Sequence, residues 1–523
     1  MSKEYDAIVV GGGIAGLTAA AFLCRYGIRT LLCEKADHTG GLVTTFWHHG
    51  FAFDAGIRAF EDSGIIFPML RSLNIELQVE KNPVSIGIES CWIRLDSRAS
   101  LNDYAEMLSE IFPQNRRDIA AICAEIEKVM GYMDVIYGID NPLFRDDMRD
   151  SEYLLKTLLP WLLKYQVNIS KASRLRAPVV EHLRRFTDND ALIALITQHF
   201  FKGTPTSFAL SYFSLYLDYS YPKGGMGALA QKLDEYILSS GGEIVTHTTI
   251  NSIDPVIHEI STANGDTYHY QHLIWAADQT ELYSSLRSDQ TAAIEKQRHL
   301  VSHSEGGDSV LSLYVGSTLS SDFFREICGA HAFYTPSTKG LLSLADSQTI
   351  LNRDEISLMD WLGKYLDTTT YELSCPALRD VSLAPEGKTG IIISTLMDYR
   401  FVKHLAERGE YQTFKRFCSE RVIRILNDTI FPKLADNLEF VICSTPLTIE
   451  RETGNKQGAI TGWAFTNDVL PAETRFKKIQ ESVKTPIVDV YQCGQWTFSP
   501  SGLPVSILTG KLAADAIKRT LKD

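Results

Sequence analysis

No two cysteines stand at C-x-x-C spacing, although the chain has nine, at positions 24, 33, 91, 123, 328, 375, 418, 443 and 493. That scatter offers neither a thiolate metal site nor a disulfide framework, and it fits a reducing compartment. Also missing is any run of Lys or Arg, in 523 residues whose net charge is -13. An acidic chain without a basic block is a poor partner for nucleic acid, for a polyanionic substrate, or for anionic lipid held through a polybasic anchor. Long hydrophobic runs are absent too: a bilayer span takes about 20 apolar residues, and no uncharged stretch is that long. The start, Met-Ser-Lys-Glu-Tyr-Asp, leads directly into a strand without an apolar leader. A cytoplasmic protein is expected, soluble or resting on a membrane surface as a peripheral contact. No G-x-S-x-G elbow supports Ser-His-Asp hydrolysis. His48 and His49 are adjacent, while His269 and His272 fall on opposite faces of a strand, so no metal is expected.

What is present has the balance of a globular protein, 45% hydrophobic and 22% charged, at a length that calls for two substantial domains. Asp6 to Val10 is an apolar run suited to a buried parallel strand. Gly11-Gly12-Gly13-Ile14-Ala15-Gly16 follows at once, then an Ala/Leu-rich helix to Tyr26 that Gly27 ends. In such a turn Gly11 permits the tight bend and Gly13 lets backbone approach a pyrophosphate. Gly16 lets the helix pack on the strand, with phosphate at the helix N-terminus. A second strand, Arg29 to Cys33, ends in Glu34, whose carboxylate can bind ribose hydroxyls and would repel a 2′-phosphate. A lone G-x-G-x-x-G is only a tight turn. With strand, helix, second strand and terminal acid in register, it predicts a dinucleotide site. After Glu34-Lys35 come Gly40-Gly41-Leu42-Val43-Thr44 and then Gly56-Ile57-Arg58. Two further glycine sites suit an extended cofactor lying along bare backbone, and a glycine-rich hairpin is the plainer alternative.

Four separated blocks occur in order: E-K-x-x-x-x-G-G, G-F-x-F-D-x-G, the mid-chain Tyr221-Pro222-Lys223-Gly224-Gly225-Met226-Gly227, and a C-terminal Gly494 and Gly502 block. Together they resemble the phytoene desaturase, carotenoid isomerase and retinol saturase group of FAD amine-oxidase-type flavoproteins. The resemblance implies an α/β fold, with a Rossmann-like FAD-binding domain of the GR2/p-hydroxybenzoate hydroxylase-like kind interleaved with an α+β substrate domain. The FAD-binding domain would comprise residues 1–90, 215–285 and 480–523. The substrate domain would take 90–215, mainly helical, and 285–480, rich in strand. FAD is the implied cofactor, held noncovalently by Gly11, Gly13, Ile14, Ala15, Gly16, Glu34, Lys35, Gly40, Gly41, Leu42, Val43, Thr44, Gly56 and Ile57. Ile250 would cover the adenine, with Ala276 and Ala277 close to the cofactor. Gly494, Gln495, Gly502, Leu503, Pro504 and Val505 would complete the site from the C-terminus. Gln495 stands where the group usually has an acid, and it is followed by a bulky Trp496.

Flavin carries hydride chemistry itself, so no acid or base is demanded. Arg58 is the one catalytic candidate, placed beside the flavin by the resemblance, and a structural arginine is the plainer reading. The implied activity is desaturation or saturation of a carbon-carbon bond in an apolar isoprenoid, carotenoid or retinoid-like substrate, with the electron acceptor open. Alternatives are a flavin-dependent polyene cis-trans isomerase, a noncatalytic prenyl-lipid binder of the same fold, and an amine oxidase. One segment bears on substrate class. Leu154, Leu155, Leu158, Leu159, Leu162 and Leu163 recur at helical spacing, either as core or as a membrane-dipping lip lined by Leu154, Leu158 and Leu162.

Overall fold

The structure is a computed structural model that describes residues 3–145, 147, 149–287, 291–352 and 357–521. Two large sheets are built from β1 (Lys3–Val10), β2 (Thr30–Cys33), β3 (Val84–Ile88), β4 (Cys91–Leu95), β5 (Glu243–Val245), β6 (Ile250–Asp254), β7 (Glu259–Thr262), β8 (Thr267–Trp275), β9 (Ser309–Ser317), β10 (His331–Thr335), β11 (Tyr371–Ser374), β12 (Thr389–Met397), β13 (Leu438–Ser444) and β14 (Val490–Gln492). The helices that frame the sites are α1 (Ile14–Arg25), α2 (Arg116–Ile136), α3 (Leu159–Ala172), α4 (Asp190–Thr197), α5 (Thr206–Leu217), α6 (Ala228–Ser239) and α7 (Leu503–Thr520).

The first sheet has the order β6-β7-β8-β1-β2-β5, with β14 added on β8. β1 runs parallel to both β2 and β8, and β8 runs parallel to β14. Ala7, Ile8, Val9 and Val10 are all buried, as a parallel strand covered on both faces requires. Every residue of α1 except Arg25 is buried as well. Its small side chains let α7, from the far end of the chain, cross so closely that a Cβ on Gly510 would stand 2.4 Å from the Ala15 carbonyl oxygen. Gly27, at φ +75°, closes α1 where the sequence places the stop. The mixed α/β class is the expected one.

The second sheet has the order β13-β9-β12-β11-β10-β3-β4. β3, from residues before 90, lies in it, so this sheet reaches across the expected domain boundary. Only Asn82-Pro83 marks that crossing, with no glycine block or shift of composition. Alternation along the strands gives the sheet two faces. Leu311, Leu313, Leu373, Ile391 and Ile393 face one hydrophobic core. Phe333, Glu372, Ser394 and Ser312 share the other face, toward α5 and the 54–58 loop.

The leucine-rich segment is helical, with a short α turn at Ser151–Tyr153, a π turn at Leu154–Leu158 and then α3. Trp161 faces inward and donates from its indole nitrogen to the Val135 carbonyl at 2.7 Å. The core reading does not hold: Leu155 is 67% exposed, Leu159 51%, Leu163 66% and Val167 52%. The outward set also differs from the expected lip, since Leu154 and Leu158 are half-buried and only Leu162 of those three points out. A π turn departs from the 3.6-residue repeat, so faces counted across it are misassigned. No described helix is long and apolar enough to cross a membrane.

Candidate functional site

β1 delivers Gly11 at φ +105°, where a Cβ would meet the Ala276 carbonyl oxygen at 2.9 Å, and the Gly11 amide donates to Cys33 O at 2.8 Å. A Cβ on Gly16 would lie 1.9 Å from the Gly11 oxygen. Both glycines are therefore required by the strand-turn-helix packing itself. Gly13 differs. It caps α1 without a side-chain cap, and nothing lies within 4 Å of the place its Cβ would take. The first amides of α1 thus open onto free space at the positive end of a helix, the arrangement that binds phosphate.

Glu34 follows β2, its Oε2 accepting from the Gly12 amide at 2.6 Å and its Oε1 from the Ala36 amide at 2.8 Å. Thr248 and His247 donate their amides to the Glu34 and Ala36 carbonyls, each at 2.8 Å. It is this link that lies beside the acid, whereas Ile250 heads β6 and is buried. Lys35 donates from Nζ to the Arg451 carbonyl at 3.3 Å.

The 40–44 segment lies between the glycine turn and a third loop. The Gly40 amide donates to Gly12 O at 2.8 Å, and a Cβ on Gly41 would meet Gly13 Cα at 3.3 Å. On its other side, Ala55 N donates to Thr44 O at 3.0 Å and Ile57 N to Leu42 O at 3.2 Å. A Cβ on Gly56 would stand 2.0 Å from that Leu42 oxygen, and Val43 is buried. Three strips of backbone are thereby laid edge to edge. The C-terminus adds Gly494, at φ +99°, whose amide donates to Thr509 Oγ1 at 3.0 Å. Gly502 caps α7 without a side chain, Pro504 sits in its first turn, and that turn holds no acid. A second uncapped helix start results, with Leu503 and Val505 beside it. Ala276 and Ala277 follow β8 directly. Gln495 donates to the Ala459 carbonyl at 3.5 Å, and Trp496 packs edge-on against Trp463 at 4.8 Å between ring centres.

Asp54, the acid of the G-F-x-F-D-x-G block, is the hub of the third loop. Fully buried, it accepts from the Thr45 hydroxyl at 2.7 Å, the Met226 amide at 2.8 Å and the Tyr221 hydroxyl at 2.6 Å. The mid-chain Tyr221–Gly227 motif is thus a clamp on Asp54. Burial, then the Asp54 charge, pushes the Tyr221 hydroxyl well above its usual range. Tyr221→Phe is expected to leave a buried carboxylate short of one donor, lowering stability by about 1–3 kcal/mol in urea unfolding. An unchanged midpoint would mean that water replaces the hydroxyl.

Arg58 is buried and braces the same loop, donating to the Asp54 carbonyl at 2.8 Å, to the Gly56 carbonyl, and to Ser394 Oγ at 3.1 Å. Arg379, which no motif marks, lies over the Tyr221 ring at 3.7 Å and donates to Ser374 Oγ at 2.7 Å. The buried Nε of each arginine has no partner among the described residues.

Between α5 and the second sheet lies a cavity with about 50 Å³ of free volume, walled by residues that include Ile86, Ile196, Phe200, Phe213, Tyr216 and Phe333. A long ligand must move side chains aside as it enters. His199 also lines it, and burial lowers that imidazole to about 4, so it is neutral near pH 7. Strand register sets Ile86, Phe333, Glu372, Ser394 and Ser312 directly opposite one another, in that order. This row leads from the aromatic cavity to the serine that Arg58 holds.

Glu61, just past Arg58, has its carboxyl raised by burial from 4.5 to about 7. The folded protein therefore binds this proton more tightly than the unfolded chain does. Stability falls as pH rises from about 4.5 to about 7, by up to about 3 kcal/mol, and is flat above. Urea unfolding between pH 5 and 8 should show this slope, and Glu61→Gln should flatten it; an equal slope in the variant would assign it to another group.

Comparison with known proteins gives the same picture. Residues 9–73 match the NAD(P)-binding Rossmann-like domain family. All-trans-retinol 13,14-reductase of Danio rerio is 24% identical over 94% of this chain and 82% of its own. Prolycopene isomerase of Daucus carota is 23% identical over 99% and 81%. Lycopene-forming phytoene desaturase of Pantoea ananas is 24% identical over 97% of each chain. Among solved structures, putrescine oxidase bound to putrescine has a TM-score of 0.58 at 12% identity, covering 99% of both chains. Reduced UDP-galactopyranose mutase has a TM-score of 0.57 at 12% identity, covering 100% of this chain and 97% of its own. Over its whole length, then, the chain resembles the retinol reductases, prolycopene isomerases and phytoene desaturases, on the fold of putrescine oxidase and UDP-galactopyranose mutase.

Proposed function

We propose that the protein is an FAD-dependent oxidoreductase that desaturates or saturates a carbon-carbon bond of an apolar isoprenoid, carotenoid or retinoid-like substrate. The observation that carries this is the aromatic cavity joined, through one row of strand-paired residues, to the Arg58 loop. The site fits FAD: open space at Gly13, two uncapped helix starts, and the partnerless Nε of Arg58 beside bare glycine backbone. The Gly11–Gly16 turn would hold the diphosphate and Glu34 the ribose. Leu42, Val43, Thr44, Gly56 and Ile57 would lie along the ring system, with Ala276, Ala277, Gly494, Gln495 and Gly502–Val505 opposite. When bound, FAD supplies the hydride chemistry.

The chain's own residues position and shield. Asp54, clamped by Tyr221 and Met226, fixes the loop that Arg58 braces, and the start of α7 favours negative charge nearby. Aromatic side chains exclude water from the cavity. In this reading residues 1–90, 215–285 and 480–523 bind the cofactor, and 90–215 with 285–480, together with β3, bind substrate. The outward leucines of α3 would rest on the membrane from which an apolar substrate is drawn.

Anaerobic photoreduction of the bound flavin, followed by retinoid, carotenoid or isoprenoid candidates, tests the proposal. Flavin reoxidation with a more saturated product supports saturation, and reduction of the oxidised flavin with a more unsaturated product supports desaturation. Isomerisation with the flavin still reduced supports a polyene isomerase, the second reading, which the similarity to prolycopene isomerase favours. Turnover of amines alone would overturn both. Failure to take up any FAD would leave a prenyl-lipid binding protein.

A further inference from the structure

We propose that Glu372 receives a hydroxyl group of the ligand, so that the cavity takes a polyene alcohol in preference to the corresponding hydrocarbon. This rests on the apolar-substrate reading above and narrows it. β11 is the middle strand of a seven-stranded sheet, yet Glu372 keeps 30% of its side-chain surface. Glu372 stands on the same face of the sheet as Phe333, which lines the cavity and is its strand partner on one side, with Ser394 its partner on the other.

A directed chain of hydrogen bonds sets the carboxylate. Arg379 can only donate, and it does so to Asn82 Oδ1 at 3.2 Å. The Asn82 amide nitrogen therefore faces His331 Nδ1, at 3.1 Å. Nδ1 must accept, which puts the ring proton on Nε2, and Nε2 donates to Glu372 Oε1 at 2.9 Å. Tyr219, stacked on the imidazole at 5.7 Å and 15°, holds the ring. Oε2 of Glu372 is left with no hydrogen-bond donor among the described residues.

Burial alone would raise the Glu372 carboxyl, but the His331 hydrogen bond and then the Arg58 and Arg379 charges bring it below its usual value. Burial lowers His331, against the pull of Glu372. The pair is thus an anion and a neutral imidazole. A hydrocarbon laid against Oε2 would strip water from an anion and give nothing back. An O–H donor makes a charge-assisted hydrogen bond there, and a site built for such a donor rejects the analogue that lacks it.

The test measures Kd of the flavin-loaded protein, by quenching of tryptophan fluorescence, for all-trans-retinol, its methyl ether and the deoxy hydrocarbon. The alcohol is expected to bind at least about tenfold tighter than the other two. In Glu372→Gln, which would put an N–H donor in place of Oε2, the ether should approach the alcohol while the hydrocarbon stays unchanged. Equal affinity of the wild-type protein for alcohol and ether overturns the inference, whether or not the variant folds. Loss of all three ligands from the wild-type protein would instead overturn the apolar-substrate reading, and this inference with it.

Discussion

Gly13→Val protein is expected to purify folded and colourless. Gly13 sits at φ -69°, ψ 173°, an extended conformation open to any residue, and its Cβ would meet nothing within 4 Å. Valine is therefore accepted by the backbone, and at a helix cap it changes stability by about 1 kcal/mol at most. The space it fills is the one in front of the α1 amides, where a diphosphate would lie. FAD affinity should fall at least about a hundredfold, since steric exclusion removes several charge-assisted hydrogen bonds together. Gly16→Val serves as contrast. Its Cβ would sit 1.9 Å from the Gly11 oxygen, so strand and helix must part and stability goes with the cofactor. Glu34→Ala should weaken binding less, because it removes the ribose contact and frees the Gly12 and Ala36 amides but leaves the diphosphate space at the start of α1 open. Flavin absorbance per protein, read beside a thermal melt, separates the three variants. Full absorbance in folded Gly13→Val would remove the turn as the diphosphate site.

The strand-turn-helix start was legible because its signals are contiguous: an apolar run, glycines at fixed offsets, an acid at the end of the next strand. The β7–β8 hairpin carries a contiguous signal of the same kind, Asn264-Gly265-Asp266 at its turn. Tyr221–Gly227 stood out as a motif, but its task, clamping Asp54, joins residues 167 and 172 positions apart and has no local trace. The row from Ile86 through Phe333 and Glu372 to Ser394 exists only through strand register, which no single strand encodes. Arg379 and Asn82 belong to that part of the site and carry no spacing signal. Trp496 looked like an odd substitution beside the glycine block. In the fold its carbonyl accepts from the Trp463 indole at 2.9 Å and the two rings pack edge to face, a pairing 33 positions apart that has no local trace.

Replacing Leu155, Leu159 and Leu163 with serine together is expected to leave the thermal melt in place and abolish flotation with liposomes. Periodicity predicted the helix but not its outward face, and exposure now decides the sign of the stability effect. Buried leucines cost about 2–5 kcal/mol each when truncated, whereas exposed ones change stability by about 0.5 kcal/mol or less. These three are 67%, 51% and 66% exposed. On a bilayer each leucine gains up to about 1.5–3 kcal/mol on full burial, so their joint removal should lower partitioning by orders of magnitude. Charge adds a second expectation, which reverses the one drawn from overall composition, because local charge and not net charge faces the bilayer. Between Glu152 and Glu181 the chain has no acid but carries Lys156, Lys164, Lys171, Arg174 and Arg176, within a protein of net charge -13. Flotation should therefore be stronger with anionic than with neutral vesicles and should weaken with salt, while the leucine term persists. A variant that melts early would mean that the leucines are covered in solution. Wild-type protein that floats with neither vesicle type would leave the helix without a membrane role, and the apolar substrate would then need another way in.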